Sequence, residues 1–334
     1  MKALVTGGGG FLGRVIIRQL RERGDEVRSL SRGRYPDLEK DGVECVQADL
    51  MDVAAVSKAC EGVDVVFHVA GKVGLWGDYS DFLRANVEGT RNVLNACQDR
   101  GARRLVFTGS PSVVFDGRDV EGWDESAPYP ERFDSYYSRT KAAAEEMVLS
   151  ANGLRGLSTI SLRPHLVWGP GDTSIAPRVI ARAKAGKLRR IGGLNKKVDI
   201  TYVDDAARAH LLAAARLEVS PSVAGKAYFL SQGDPRPLWE VVNGILAAAG
   251  LPPVERSVSL WAARAAAAGL ELSYRALRRR DEPPLTRFLV TQLSTAHWFD
   301  ISAARRDLGY EPSVPFEEGL KRYARWFKCQ ALKD

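Results

Sequence analysis

The chain has 334 residues, of which 45% are hydrophobic and 27% charged, a balance typical of a globular protein that buries its own core. This composition excludes a disordered, collagenous or low-complexity chain. The formal net charge of +7 favours anionic ligands, but the basic residues are spread along the chain and accompany no nucleic-acid-binding motif. We therefore expect no nucleic acid among its partners.

The cysteines and the apolar segments indicate the compartment. Cys45, Cys60, Cys97 and Cys329 lie far apart and form no C-x-x-C pair, so the sequence predicts neither a zinc knuckle nor a disulfide framework. The apolar run at the N-terminus is too short for a secretion signal, and no stretch is long enough to span a membrane. We expect a cytoplasmic protein; a peripheral membrane contact, an association with enzymes of the same pathway and a homodimer all stay open.

The first half of the chain alternates short β-rich segments with helical segments. KALVT begins the chain, a helical segment ends at Gly24, and five further β-rich segments follow up to Pro164. Strands that alternate with helices form parallel sheets covered by helices. The sequence predicts an α/β fold: a doubly wound parallel sheet (Rossmann) over residues 1–165, and a smaller mixed α/β substrate-binding lobe over residues 166–330. Some segments of the lobe, such as residues 226–231, are expected to return to the main sheet.

A glycine-rich turn separates the first β-rich segment from the first helical segment. Gly7, Gly10 and Gly13 form the pattern G-x-x-G-x-x-G, in which the missing side chains let the backbone approach a pyrophosphate at the helix N-terminus. A tight strand-to-helix turn without a ligand could use the same residues. The position of the turn at the start of a β-α-β unit favours dinucleotide binding.

The ends of the next two predicted strands bear on the choice of dinucleotide. An acidic residue after the second strand would bind the ribose hydroxyls of NAD, but Ser31 and Arg32 stand there, followed by Arg34. A guanidinium matches the 2′-phosphate of NADP, so the sequence favours NADP(H) over NAD, with a solvated basic loop as the alternative. Asp49, after the third strand, is interpreted as an adenine-side contact or as the cap of the next helix.

Three further residues are candidates for catalysis. Tyr137 and Lys141 are four residues apart on a predicted helix, so their side chains leave the same face. This pattern alone is common by chance. It gains weight because Ser110 directly follows the fifth predicted strand, at the edge where open α/β sheets bind their ligands.

These motifs, together with Leu162-Arg163-Pro164, resemble those of the extended short-chain dehydrogenase/reductases over nearly the whole chain. The resemblance implies that Tyr137 exchanges a proton with the substrate, that Lys141 binds the nicotinamide ribose and lowers the tyrosine pKa, and that Ser110 hydrogen-bonds the substrate oxygen. A cation near a phenol does favour the phenolate. The resemblance also implies the cofactor contacts Gly7, Gly10, Phe11, Leu12, Gly13, Ser31, Arg32, Asp49, Leu50, Ala70, Lys141 and Pro164. Asn86 matches a family position near the cofactor, or packs a helix.

Residues 109–117 and 162–172 resemble the 3β-hydroxysteroid dehydrogenase branch of this superfamily. Sugar-nucleotide dehydratases usually have an Asp-Glu pair near the serine, whereas Pro111-Ser112 follows Ser110. Residues 72–77 and 284–300 are most similar to bacterial reductases of 2-alkyl-3-oxoalkanoates in olefin synthesis. The resemblance implies an apolar β-keto or β-hydroxy acid as a small-molecule substrate. A sterol 4α-carboxylate dehydrogenase, a nucleotide-sugar epimerase and a catalytically silent dinucleotide sensor are the alternatives.

The substrate pocket is less defined by the sequence. The segment 258–293 mixes apolar residues with arginines, and we expect it to form a lid over a hydrocarbon substrate, with an ordinary packing helix as the alternative. Weaker candidates for the pocket are His165, Trp168, His297 and Trp298. His210 is expected to be structural, and no metal site is expected because the histidines are scattered.

Overall fold

Seven parallel strands form the central sheet of the computed structural model, which describes residues 1–74, 76–193, 195–279 and 281–331. In chain order, the strands of this part of the chain are β1 (Lys2–Thr6), β2 (Glu26–Ser31), β3 (Glu44–Gln47), β4 (Val65–His68), β5 (Arg104–Thr108), β6 (Val120–Trp123), β7 (Ser158–Pro164), β8 (Val167–Trp168), β9 (Arg190–Ile191), β10 (Lys197–Val198), β11 (Thr201–Tyr202), β12 (Lys226–Leu230), β13 (Arg236–Pro237), β14 (Ser257–Val258) and β15 (His297–Phe299). The order across the sheet is β12-β7-β5-β4-β1-β2-β3. The predicted doubly wound parallel sheet is confirmed.

Helices cover both faces of this sheet. The α-helices of the described residues are α1 (Phe11–Glu22), α2 (Pro36–Lys40), α3 (Val53–Ala59), α4 (Tyr79–Phe82), α5 (Gly89–Arg100), α6 (Tyr136–Ser150), α7 (Ile175–Lys184), α8 (Val203–Val219), α9 (Leu238–Ala248), α10 (Leu260–Ala276), α11 (Arg287–Ser294) and α12 (Phe316–Ala331). Successive residues of a strand point to opposite faces, so Ala3 and Val5 of β1 pack with α1 and α8, whereas Leu4 packs with α3, α5 and α6. A π-helical segment, Leu83–Glu88, joins α4 to α5.

The C-terminal half of the chain supplies three of the four strands of a smaller mixed sheet, which β6 completes, and it also extends the central sheet. In the smaller sheet, β10 pairs antiparallel with β13 and parallel with β15, which pairs parallel with β6. In the central sheet, β12 pairs in parallel with β7, from Lys226 opposite Ile160 to Leu230 opposite Pro164. The sheet that carries the glycine turn is therefore completed by a strand from the second half of the chain.

The parallel registers bring the strand ends to one edge of the sheet. Thr6 of β1 is opposite His68 of β4 and Leu30 of β2, and Thr108 of β5 is opposite Leu162 of β7. The segments that follow these strands therefore meet at one edge. Within the described ranges, no helix is both long and apolar enough to cross a bilayer.

Candidate active site

The glycine turn after β1 is packed so closely that side chains would not fit. A Cβ atom at Gly7, whose φ is +70°, would lie 2.9 Å from the backbone of Ala70, and one at Gly13 would lie 2.3 Å from the carbonyl oxygen of Gly7. Gly10 is the N-cap of α1 and offers no capping side chain, and the first turn of α1 contains no acidic residue. The helix N-terminus therefore suits an anionic group such as a pyrophosphate.

A cavity of about 230 Å³ lies beside this turn, between the ends of β2 and β3. The Ser31 hydroxyl accepts a hydrogen bond from the backbone N–H of Gly9 at 3.1 Å and so ties the turn to β2. The ring of Tyr35 covers Gly9, where a Cβ would come within 2.0 Å of it, and the Arg14 guanidinium lies 5.1 Å from the centre of that ring. Sequence reasoning missed Tyr35 because a single loop residue has no periodicity to indicate it.

The basic residues after β2 are exposed beside the cavity. The Arg32 side chain has no hydrogen bond or ion pair with another described residue, while Arg34 lies 3.6 Å from Glu39 and lines the cavity. Asp49 does not cap α3: its carboxylate accepts a hydrogen bond from the backbone N–H of Met51, and Asp52 is the cap, accepting from Ala55. The capping alternative for Asp49 is therefore wrong.

The other predicted cofactor residues lie on the same edge or just behind it. Phe11 and Leu12 open α1 directly after the glycine turn, and Pro164 ends β7. The backbone N–H of Ala70 donates to the Thr6 hydroxyl at 3.2 Å. Leu50 is buried and packs against Gly89, where an added Cβ atom would lie 3.0 Å from the Leu50 side chain.

The three predicted catalytic residues come from β5 and α6. Ser110 follows β5, and its hydroxyl accepts a hydrogen bond from the backbone N–H of Ser112 at 3.3 Å. Tyr137 is the second residue of α6, which begins at the cap Ser135. Burial raises the pKa of Tyr137, and the polar side chain of Ser110 acts in the opposite direction. The structure thus places Ser110 and Tyr137 on neighbouring elements at the same edge of the sheet.

Lys141 lies one helical turn beyond Tyr137 and is buried. Its ammonium donates a hydrogen bond to the Thr108 carbonyl at 2.5 Å and lies 4.0 Å from the centre of the Phe107 ring. Burial lowers the pKa of Lys141 to about 7, against the charge of Glu145, which raises it. The spacing of four between Tyr137 and Lys141 places the two side chains on the same face of α6.

A buried charged network lies one further turn along α6. Glu145 is fully buried and accepts hydrogen bonds from the hydroxyls of Tyr129 at 2.8 Å and Ser161 at 2.6 Å. It also forms a two-pronged ion pair with Arg163, whose Nη2 lies 2.6 Å from it. The sequence indicates Arg163 only as part of a motif and gives no separate signal for Glu145, although the spacing of four from Lys141 places Glu145 on the same helix face.

Asn86 connects the loop after β4 to the helix that carries Tyr137. It lies in the π-helical segment, and its side-chain oxygen accepts a hydrogen bond from the Lys72 backbone N–H at 2.7 Å. Its amide nitrogen donates to the Lys72 carbonyl and to the Thr140 hydroxyl, each at 3.1 Å. Asn86 therefore holds the loop in place.

The loop at residues 71–77 also contacts the segment that was predicted to be a lid. Leu75, within the segment 72–77 of the family resemblance, lies outside the described residues. The indole N–H of Trp76 donates to the Arg279 carbonyl at 3.2 Å. The Arg275 guanidinium lies 5.6 Å from the centre of a Trp76 ring. Farther along the segment, Phe288 meets Phe115 edge to face with ring centres 6.3 Å apart.

The weaker pocket candidates are mostly packed in the interior. His165 and His297 are both buried, and their rings are joined by a hydrogen bond of 3.0 Å. Trp168 packs against Tyr202 and has a buried ring. His210 makes hydrogen bonds to the Ala206 carbonyl and the Thr108 hydroxyl, as expected of a structural residue.

The burial of the histidines predicts a loss of stability in acid. Burial lowers the pKa of His68 to about 3 and of His210 to about 4, whereas an unfolded histidine titrates near 6.5. Their stabilising effect is therefore complete above about pH 6.5 and falls as the pH drops, by up to about 2 kcal/mol per residue between pH 6.5 and 5. Denaturant titrations at several pH values should show this fall.

A variant identifies the residue responsible. His210→Asn keeps a donor near the Ala206 carbonyl but cannot gain a proton, so its free energy of unfolding should depend less steeply on pH. A slope equal to that of the unmodified protein would contradict the assignment to His210.

Comparison with known proteins extends this picture. The model of the 3-beta hydroxysteroid dehydrogenase/isomerase family matches residues 4–260. The chain is 47% identical to the 2-alkyl-3-oxoalkanoate reductase of Shewanella oneidensis, over 96% of this chain and 84% of that protein. It is 49% identical to the 2-alkyl-3-oxoalkanoate reductase of Stenotrophomonas maltophilia, over 96% of this chain and 98% of that protein. The UDP-glucuronic acid 4-epimerase of Bacillus cereus, solved in complex with NAD, has the same fold, with a TM-score of 0.77 and 20% identity over 99% of both chains.

A nucleotide-binding sheet edge with a tyrosine, a serine and a buried lysine defines an NAD(P)-dependent oxidoreductase that acts on a hydroxyl or keto group. More narrowly, the chain belongs to the 3-beta hydroxysteroid dehydrogenase/isomerase family.

Proposed function

We propose that this protein reduces 2-alkyl-3-oxoalkanoic acids to the corresponding 3-hydroxy acids, with NADPH as the preferred cofactor. The observation that carries the proposal is the meeting of β5 and α6: Ser110 directly follows β5, and α6 carries both Tyr137 and the buried Lys141, whose ammonium donates to the Thr108 carbonyl at 2.5 Å. The two relatives with 47% and 49% identity support the choice of substrate.

The reaction divides between the cofactor and the three side chains. NADPH, held at the glycine turn and by Arg32, would supply the hydride for the keto carbon. The Ser110 hydroxyl donates a hydrogen bond to the keto oxygen and holds it next to Tyr137, which gives its phenolic proton to that oxygen as the hydride arrives. Lys141 stabilises the resulting phenolate by its charge. Hydride on carbon forms the new C–H bond and the proton on oxygen forms the hydroxyl group, so the ketone becomes a secondary alcohol.

The apolar body of the substrate needs a surface outside the nucleotide site. Phe115 follows Ser110 by five residues and meets Phe288 of α11. Leu285 packs in a small apolar cluster with Val290 and Ala267 of α10. We assign the hydrocarbon chains to this side of the site, so that α10 and α11 shield them from water.

Cofactor-dependent turnover tests this function. A 2-alkyl-3-hydroxy acid with NADP⁺ should give NADPH, and the keto acid with NADPH should consume it. The same assay is run with a 4α-carboxysterol and with a UDP-sugar as controls. Faster turnover of either control compound than of the 2-alkyl acids would overturn the proposed substrate.

The cofactor preference is tested by Arg32→Ala. A charge-assisted hydrogen bond to the 2′-phosphate contributes about 1.5–3 kcal/mol, so the KM for NADPH should rise roughly 10- to 100-fold while the KM for NADH changes little. Arg103→Ala, another exposed arginine, is the matched control. Equal losses with both cofactors would show that Arg32 does not bind the 2′-phosphate.

A further inference from the structure

Helix α10 packs only one narrow face against the rest of the protein. Its buried residues, Ala263, Ala267 and Glu271, recur at a spacing of four. Glu271 accepts hydrogen bonds there from the backbone and the guanidinium of Arg287. The side chains on the opposite face point outward.

That outward face is apolar along its whole length. Successive residues of an α-helix are turned by about 100°, so Trp261 and Leu272, 79% and 69% exposed, lie almost on one line. The exposed positions between and beside them are small and apolar: Ala265, Ala268, Gly269 and Ala276. None of these six residues has a polar side chain, which is the reverse of the pattern expected for a helix face in water.

Arginines border this apolar face. Arg264 and Arg275 fall on one side of it, and the exposed Leu277 (71%) and Arg278 follow the last residue of α10. Within the described ranges, Arg264, Arg275 and Arg278 form no ion pair with an acidic side chain.

The acidic residues of the same region are already paired. Residues 257–293 contain six arginines, no lysine and three acidic residues. Glu271 is bound to Arg287, and the other two acidic groups, Asp281 and Glu282, pair with Arg279 and Arg178. The outward face thus combines a bare apolar strip with positive charge that the protein itself does not neutralise.

This surface is connected to the active site. The ring of Trp76, in the loop after β4, meets Tyr274 of α10 edge to face with centres 6.2 Å apart. The same loop exposes Val73, at 70%, and leads to Tyr79, whose ring lies 5.3 Å from that of Tyr136, the neighbour of Tyr137.

We propose that the outward face of α10, with its bordering arginines, binds the surface of an anionic lipid bilayer. Trp and Leu side chains in one line insert among the upper acyl chains, with the tryptophan at headgroup level. Arginines beside them form paired hydrogen bonds with lipid phosphates. The unpaired positive charge favours an anionic bilayer as the partner. A second copy of the chain is disfavoured because it would bring more arginines to the same place.

The proposal goes beyond the reaction, and the binding itself does not depend on which substrate is used. If the substrate is the proposed long-chain acid, its hydrocarbon chains dissolve in the bilayer. A bilayer contact next to Trp76 then brings the active site to the phase that holds the substrate.

Vesicle flotation of the full chain tests this inference. The protein should float with phosphatidylcholine vesicles that contain phosphatidylglycerol, and much less with phosphatidylcholine alone. The double variant Trp261→Ser/Leu272→Ser should reduce the bound fraction at least about tenfold. Arg264→Gln/Arg278→Gln should reduce it by about tenfold or more, because each basic residue near an anionic surface contributes about 1 kcal/mol.

Matched controls separate the surface from general stickiness. Leu154→Ser/Val219→Ser removes two apolar side chains that are 56% and 71% exposed elsewhere and should leave flotation unchanged. Thermal unfolding establishes that each variant is folded. The proposal is overturned if the unmodified protein does not float, if it floats equally with both vesicles, or if the α10 variants float normally. It is also overturned if these substitutions instead dissociate a dimer in sedimentation experiments without vesicles.

Discussion

Tyr137→Phe is expected to reduce turnover by roughly 10²- to 10⁴-fold, the range typical of losing a positioned proton donor. The phenyl ring keeps the packing of α6, so the Kd for NADPH should stay nearly unchanged. Steady-state rates with a 2-alkyl-3-oxo acid, together with a fluorescence titration of the cofactor, measure the two effects separately. Loss of turnover without loss of cofactor binding assigns Tyr137 to the chemical step.

The neighbouring residue provides the control for this experiment. Tyr136→Phe makes the same chemical change on a ring that is 49% exposed, and it should retain nearly full activity. Substantial turnover by Tyr137→Phe at neutral pH, or an equal loss in both variants, would remove Tyr137 from the proposed mechanism.

Glu145→Ala is expected to lower the free energy of unfolding by about 3–5 kcal/mol, since it leaves a charged guanidinium buried without its partner. Arg163 is 3% exposed, and its Nη1 atom already lacks a hydrogen-bond partner among the described residues. The Tyr129 and Ser161 hydroxyls would also lose their acceptor. Denaturant titration measures the loss.

Glu146→Ala is the matched control for this variant. It lies on the same helix with an exposed side chain, and its substitution should change the free energy of unfolding by no more than about 0.5 kcal/mol. Similar losses in the two variants would contradict the view that the Glu145–Arg163 pair stabilises the site from behind.

The parts of the fold that depend on local patterns are predictable from the sequence. The glycine turn, the helix of Tyr137 and Lys141, and the alternation of strands with helices are all read from neighbouring residues. Ser110 is found in the same way, because it directly follows a strand. Local spacing thus fixes which residues stand at the sheet edge.

Contacts between distant segments are not predictable in this way. Glu145 meets Ser161 and Arg163, which lie two residues apart on the same face of β7, and the register between that strand and α6 is a tertiary property. Tyr35 lies in a loop and covers Gly9 because of how β2 ends. The apolar face of α10 is visible only once burial shows which side of the helix packs.

The pairing of β12 with β7 has a consequence for how the chain folds. During synthesis, β7 is complete before residues 165–225 and β12 have been made, so one side of it stays an open sheet edge in the meantime. Such edges favour pairing between chains. In the finished protein β12 becomes the new edge, and the Glu125 carboxylate accepts a hydrogen bond from the backbone N–H of Phe229 at 2.7 Å. A fragment ending at residue 165 would lack both the strand and this protection, so it should aggregate and not fold as a free-standing nucleotide-binding unit.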